Sequence, residues 1–249
     1  MRCIITAGPT FEPLDQVRRL TNFSTGRLGT ELACHLAGAG HRVTLLRGES
    51  AVWPASPALE AGVEVASFGS AADLWRGLAR EAEQPADAVF HAAAVGDFVF
   101  GRVWRRDASG GLVEVQAGKF STRDGSLLAE LVPTPKILSE LRGWFAHAWL
   151  VGWKYEVDGG RDAALERARN QLRDARTDAC VVNGPAYGMG FGLLEPDGTL
   201  RHAEDHERLY FELAQGLARA EANRERGALQ TRPSSNNRRQ IRGTDPAKS

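Results

Sequence analysis

Between Thr6 and Gly29 the chain reads TAGPTFEPLDQVRRLTNFSTGRLG, which sets Asp15, Arg18 and Asn22 among Gly8, Pro9 and Pro13 and then runs into Gly26 and Gly29. A carboxylate, a guanidinium and a carboxamide thus sit in a loop that leads into a glycine-led helix start, where a phosphate could bind. A helix N-terminus offers free N–H groups and a positive dipole end to a phosphate or carboxylate. Further on, HAAAVGDFV puts Asp97 just past small residues that let backbone approach a ligand, and WKYEV puts Lys154 at the end of an apolar run. DACVVNGPAYG puts Asn183 before a Gly-Pro turn. Each has a plain structural explanation as well. Asp15 and Arg18 could pair with each other, Ser24 or Thr25 could cap the helix, Asn183 could shape a turn, and His91 belongs to packing.

These residues share a position relative to the elements that carry them. Short apolar runs at Cys3–Thr6, Arg42–Leu46, Val63–Ala66, Ala88–Ala93, Trp149–Trp153 and Ala179–Val182 alternate with helical patterns. That alternation predicts an α/β fold, a Rossmann-like, doubly wound and mostly parallel sheet. Helices are predicted after Gly26, then over Ala71–Glu83, Pro135–Phe145, Arg161–Arg176 and His206–Ala222. The candidate residues then collect at the carboxyl ends of strands, where open α/β sheets bind their ligands. Residues 97–133 break the alternation. Two strand-like pieces, Leu112–Gln116 and Leu127–Val132, predict an extended arm or hairpin that carries Lys119, and Pro-Asp-Gly in FGLLEPDGTLRH predicts an antiparallel hairpin at the sheet edge.

The sequence has 249 residues, 43% of them hydrophobic, which suits one folded domain over residues 1–222. Residues 223–249 are polar and rich in Pro and Gly, and are expected to be a disordered tail. A formal net charge of zero gives no electrostatic reason to expect a nucleic-acid partner, and no apolar span long enough for a membrane is present. Three scattered cysteines without ligand spacing read as thiols of a reducing, cytoplasmic compartment.

A dinucleotide fingerprint places its glycines directly after the first strand, whereas roughly twenty residues intervene here between Thr6 and Gly26. An NAD(P)H-dependent short-chain-type reductase, supported by TGRLGTELA and by Arg47 as a ligand for a 2′-phosphate, also lacks its Tyr-x-x-x-Lys pair. Four residues after Tyr155, Tyr187 and Tyr210 come Gly159, Phe191 and Ala214.

Together TAGPTFEPLDQVRRLTNFSTGRLG, AAAVGDF, GKFST, LVPTPKIL, GWKYE and RARNQLRDARTDACVVN resemble, in order and spacing, the phosphopantothenate–cysteine ligase family of coenzyme A biosynthesis. The resemblance implies that 4′-phosphopantothenate attacks a nucleoside triphosphate with Mg²⁺ to give an acyl-nucleotidylate and pyrophosphate, after which L-cysteine displaces the nucleoside monophosphate. It implies catalytic roles for Lys119 and Asn22, and substrate binding by Arg18, Asn22 and Gly26. The nucleotide falls to Gly8, Thr10, Ala93, Ala94, Asp97, Lys154 and Asn183; no metal ligands are assigned. Ser121, Thr122, Gln171 and Ala175 stand where relatives using CTP carry lysines, so ATP is expected over CTP. The resemblance further implies a homodimer whose arm covers the partner's site. The ligase motifs start within the first strand, so no FMN is expected. A non-catalytic protein of the same fold would have lost Lys119 or Asn22, and both are present.

Overall fold

The structure, a computed structural model, describes residues 1–54 and 62–230. Its centre is an eight-stranded sheet. β1 (Arg2–Ala7) lies in the middle, with β4 (Arg42–Gly48) and β5 (Val63–Phe68) on one side and β6 (Ala88–His91), β10 (Trp149–Tyr155) and β11 (Ala179–Asn183) on the other, all parallel. The chain winds outward from β1 to β5 and then returns to the other side of β1, so strand order reverses between β1 and β6. That reversal opens a crevice beyond the carboxyl ends of these two strands.

Alternation along the strands divides the core. On one face Ile5, Leu45, Phe90 and Val181 pack under α1 (Arg27–Gly38) and the final helix, through Leu32, Leu36, Leu209 and Leu213. On the other, Ile4, Leu46, Val89 and Leu150 pack under α2 (Ala71–Glu81) and α3 (Ile137–Trp144), through Leu74, Leu78 and Leu141. Helix α4 (Arg161–Ala175) covers Cys180, Val182 and Leu194. The Pro-Asp-Gly hairpin forms as expected: β12 (Phe191–Leu194) and β13 (Leu200–Ala203) pair antiparallel and end the sheet.

Some elements differ from expectation. Helix α3 starts at Ile137 with Lys136 as its N-cap, leaving Pro135 outside. The final helix, α5 (His206–Gln230), continues past the expected end of the folded domain at 222, because Arg224 donates to the carbonyls of Asp87 and His147 and so ties that turn to the sheet. The rest of the expected tail, 231–249, lies outside the described residues. Finally, the arm has three strands rather than two. Its centre is β7 (Phe98–Arg106), flanked by β8 (Leu112–Glu114) and β9 (Leu127–Pro133).

The long insertion before α1 is itself ordered as a small hairpin, β2 (Phe11–Pro13) with β3 (Arg19–Thr21). It returns the chain to the end of β1, and Gly29 makes that return possible. A Cβ at Gly29 would lie 2.6 Å from the Ala7 Cβ and 2.8 Å from the Thr6 carbonyl oxygen. Gly29→Ala is therefore expected to cost about 1–3 kcal/mol through overpacking, despite the better helix propensity of Ala. Urea denaturation checks this, and an unchanged midpoint would contradict the close approach.

Candidate active site at the strand-order reversal

Three backbone segments meet beyond β1. Gly8 (φ +86°) and Gly26 (φ +80°) occupy the left-handed region, and a Cβ at Gly26 would lie 2.9 Å from the Ala51 Cβ and 3.3 Å from the Gly8 Cα. Only glycine adopts that conformation at such separations without strain. Gly26 is the N-cap of α1 and has no side chain to offer, while Thr25 Oγ1 accepts the Arg27 N–H (3.3 Å) and so covers the first of the helix amides. The first turn holds no acidic residue either, and the first intrahelical bond runs from the Thr30 N–H to the Gly26 carbonyl. The Leu28 and Gly29 N–H groups, which have no partner among the described residues, are left for an anionic ligand.

The segment after β6 is stitched across the crevice. Ala94 donates its N–H to the Gly8 carbonyl (3.0 Å) and accepts from the Thr10 N–H (3.2 Å). The Asn22 Nδ2 donates to the same Ala94 carbonyl (3.0 Å), which leaves Oδ1 of this exposed carboxamide without a partner among the described residues. Thr10 Oγ1 accepts from the Gly96 N–H, and Thr21 Oγ1 donates to the Thr10 carbonyl. Gly8, Thr10, Asn22, Gly26, Ala93 and Ala94 are therefore gathered at one place.

Beneath them, Thr6 and His91 form a buried pair that composition and periodicity did not mark as part of the site. Thr6 Oγ1 accepts from the Ala93 N–H (3.0 Å) and lies 3.0 Å from His91 Nδ1. With Nδ1 assigned as the acceptor, the hydroxyl donates to the ring while holding Ala93 in place. Burial drives the imidazole pKa down from 6.5 to about 4. Packing remains the role of His91, as the sequence suggested, but it is packing that fixes a site loop.

The remaining candidates stand further out. Asp97 is exposed and ion-paired with Lys136 at the root of the arm, where Thr134 bonds the carbonyls of Gly96 and Asp97. Lys154 lies 3.4 Å from Glu156, which also holds Arg167, and the Asn183 carbonyl accepts from the Glu156 N–H. Asn183 Oδ1 is buried and has no hydrogen-bond partner among the described residues. Lys154 and Asn183 share the carboxyl edge of the sheet, but no hydrogen bond among the described residues joins their side chains to the Asn22–Ala94 cluster.

The residues on either side of Lys119 dock on the loop that carries Arg18. Arg18 pairs with Asp15 (2.8 Å), as the bland sequence explanation has it, and its Nη2 also donates to the Phe120 carbonyl (2.6 Å). Asp15 Oδ2 accepts the Phe120 N–H, while Gln16 donates its N–H to the Gly118 carbonyl. Burial alone would raise the Asp15 pKa. The amides of Val17, Arg18 and Phe120 and the Arg18 guanidinium outweigh it and bring the carboxyl to about 2. Lys119 itself is exposed, with neighbours anchored on both sides. This segment of the arm therefore docks on a loop of its own chain.

Arg47, which the reductase alternative needs for a 2′-phosphate, instead donates to the carbonyls of Ala51 and Trp53. That alternative is left without support. Among the described residues no group of three or more His, Cys, Asp or Glu side chains could hold a metal ion, and no helix is long and apolar enough to cross a membrane.

Known proteins agree with this architecture. A protein-family model described as the DNA/pantothenate metabolism flavoprotein C-terminal domain matches residues 1–224. The Coenzyme A biosynthesis bifunctional protein CoaBC of Thermococcus kodakarensis is 31% identical over 183 residues, covering 73% of this chain and 41% of the relative. The chain spans about half the length of the curated relatives it matches. The DNA/pantothenate metabolism flavoprotein from Streptococcus pneumoniae superposes with a TM-score of 0.75 at 24% identity, covering 88% of this chain and 98% of that one. A Cab2 H337A mutant in complex with phosphopantothenate-cysteine superposes with a TM-score of 0.70 at 20% identity, covering 90% and 88% respectively, a likeness of fold. By the extent of the family match, the chain belongs to the DNA/pantothenate metabolism flavoprotein C-terminal domain family.

Proposed function

We propose that this chain is a ligase of coenzyme A biosynthesis, joining 4′-phosphopantothenate to L-cysteine with cleavage of a nucleoside triphosphate to its monophosphate and pyrophosphate. The observation that carries it is the meeting of the open Leu28 and Gly29 amides of α1 with the Asn22 carboxamide at one crevice, with the arm bearing Lys119 docked on the Asp15–Arg18 loop of the same insertion. The relatives named for coenzyme A biosynthesis support the same reading.

In the first half-reaction the carboxylate of phosphopantothenate attacks the α-phosphorus, a new C(O)O–P bond forms, and the bond to pyrophosphate breaks. Negative charge accumulates on the α-phosphate oxygens, and donors aimed there beforehand lower the barrier most. The Lys119 ammonium supplies positive charge from the arm, and the first-turn amides of α1 receive phosphate oxygens. In the second half-reaction the cysteine amine adds to the acyl carbon, loses its proton and expels the nucleoside monophosphate. The Asn22 carboxamide, held by Ala94, steadies the acyl group through this exchange. Arg18 Nη1, which has no protein partner among the described residues, takes the phosphate of phosphopantothenate in this reading. Gly8, Thr10, Ala93 and Ala94 line the nucleotide's approach, with Asp97, Lys154 and Asn183 at its rim.

Mg²⁺ suits the donor set only as an ion carried on substrate phosphates, which is how this hard cation commonly binds. ATP remains favoured over CTP. Gln171 lies against the Cys180 sulfur and Ala175 is buried, so neither position offers the crevice a cation. A homodimer in a cytoplasmic setting completes the reading.

The test is pyrophosphate release by purified protein with 4′-phosphopantothenate, L-cysteine and Mg²⁺, comparing ATP with CTP and identifying the amide by mass. Release that requires phosphopantothenate, together with the amide mass, is the expected result. Absence of release with both nucleotides would overturn the proposal.

A further inference from the structure

Asp15 has a fully buried carboxylate that meets five hydrogen-bond donors or cationic contacts, more than a local turn needs. Oδ1 accepts from the Val17 and Arg18 N–H groups (2.9 and 2.7 Å), which would suffice to shape residues 15–18. Oδ2 does something else. It accepts from the Phe120 N–H (3.2 Å), 105 residues away, and from Arg18 Nε (3.1 Å), while Arg18 Nη2 both pairs with it and donates to the Phe120 carbonyl. Both backbone polar groups of Phe120 are thus occupied by one ion pair, and its ring is buried. Gln16 holds the Gly118 carbonyl from the same loop. Burying a charge is costly unless it is fully paired. Here the pairing is completed by the arm.

The rest of this stretch has little else to hold it. Between the end of β8 at Glu114 and the 3₁₀ turn at Thr122–Asp124, the backbone bonds that reach other segments are the Val115 N–H to the Val103 carbonyl and those at Gly118 and Phe120. Lys119 sits between the last two, its backbone pinned and its side chain exposed.

We propose that Asp15 is a positioning residue for Lys119: with Arg18 it clamps Phe120, fixing the arm so that the Lys119 ammonium is presented to the crevice. The kinetic part of this inference rests on the ligase reading above, whereas the clamp itself does not. Holding a reacting or charge-stabilising group in place in advance lowers the entropic part of the barrier, and misplacement by about 1 Å costs on the order of 100-fold. The clamp therefore acts on turnover through Lys119.

Two measurements separate the parts. The first needs no substrate: amide hydrogen exchange in the whole chain. Asp15→Asn removes the charge and keeps the shape. It should speed exchange at Phe120 roughly 10-fold or more while amides of β1 and β11 stay protected, and Asp15→Glu should restore part of the protection. If Asp15→Asn leaves Phe120 exchange unchanged, the clamp is overturned, whatever the protein catalyses. The second is a double-mutant cycle on pyrophosphate release. Asp15→Asn should lower kcat about 10-fold or more with little change in KM for the nucleotide, and should add almost nothing in a Lys119→Ala background. A full further loss in that background, or an unchanged kcat with Phe120 released, would overturn the positioning role. Should wild-type protein release no pyrophosphate, the ligase reading and the positioning role fall together, and the exchange result still decides the clamp. If Asp15→Asn loosens β1 and β11 as well, the Asp15→Glu cycle carries the kinetic test.

Discussion

Lys119→Ala is expected to lower pyrophosphate release by roughly 100- to 1,000-fold, the range found when a pre-aimed stabiliser of developing negative charge is removed. Stability should hardly change, because the side chain is exposed and its docking bonds are made by the backbone of Gly118 and Phe120. Lys119→Arg keeps the charge but spreads it over a planar fork, so it should recover only part of the rate. Single-turnover measurements would place the defect before the acyl-nucleotidylate forms. Conversion of a pre-formed acyl-nucleotidylate by cysteine should be affected far less. A Lys119→Ala protein that releases pyrophosphate at the wild-type rate would remove this lysine from the chemistry.

Acid should weaken the fold through His91, and by a large amount. The imidazole is buried and its pKa in the fold is about 4, because burial opposes the charged form. In the unfolded chain the same group titrates near its ordinary 6.5, so between these values the unfolded state binds the extra proton and stability rises with pH. Stability is therefore full above pH 6.5 and falls as the pH drops towards 4, by about 3 kcal/mol in all. The loss should be felt at the crevice. A protonated ring can no longer accept from Thr6, whose oxygen fixes the Ala93 N–H. Urea midpoints at pH 7 and pH 4.5 should separate widely for the wild-type chain and much less for His91→Gln. Equal separations in the two proteins would mean that the acid sensitivity arises elsewhere.

The sheet was largely legible because its signals are local. Apolar runs such as Ile4-Ile5 and Val181-Val182 face helices on both sides of a parallel sheet, so they show up as short hydrophobic stretches without knowledge of their neighbours. Pro-Asp-Gly marked the edge hairpin for a similar reason, since Gly198 supplies the positive φ its turn requires. Strand β7 was not legible. Its sequence, FVFGRVWRR, mixes apolar and basic residues in an arm with little core, and pairing with β8 and β9 gives it its form. The extension of α5 past residue 222 was hidden in the same way, because a polar stretch becomes a helix turn there by virtue of the carbonyls Arg224 meets.

For the site, residue types and the rule that ligands gather at strand carboxyl ends pointed to the loop of Gly8, Asn22 and Gly26 and to the small residues before Asp97, and equally to Asp97, Lys154 and Asn183, which stand apart from that cluster; the motif resemblance added Lys119. An i,i+3 spacing also made the Asp15–Arg18 pair a fair expectation. What the sequence alone determined was the alternation of strands and helices, the edge hairpin and the chemical groups available at the end of β1. Tertiary structure alone decided that α1 leaves its Leu28 and Gly29 amides open among the described residues, that His91 and Thr6 hold the Ala93 loop, and that Asp15 reaches across 105 residues to Phe120. The reason is physical. Periodicity and turn chemistry are fixed by neighbouring residues, whereas a buried charge or an open N–H group acquires its meaning only from whichever distant segment the fold brings against it.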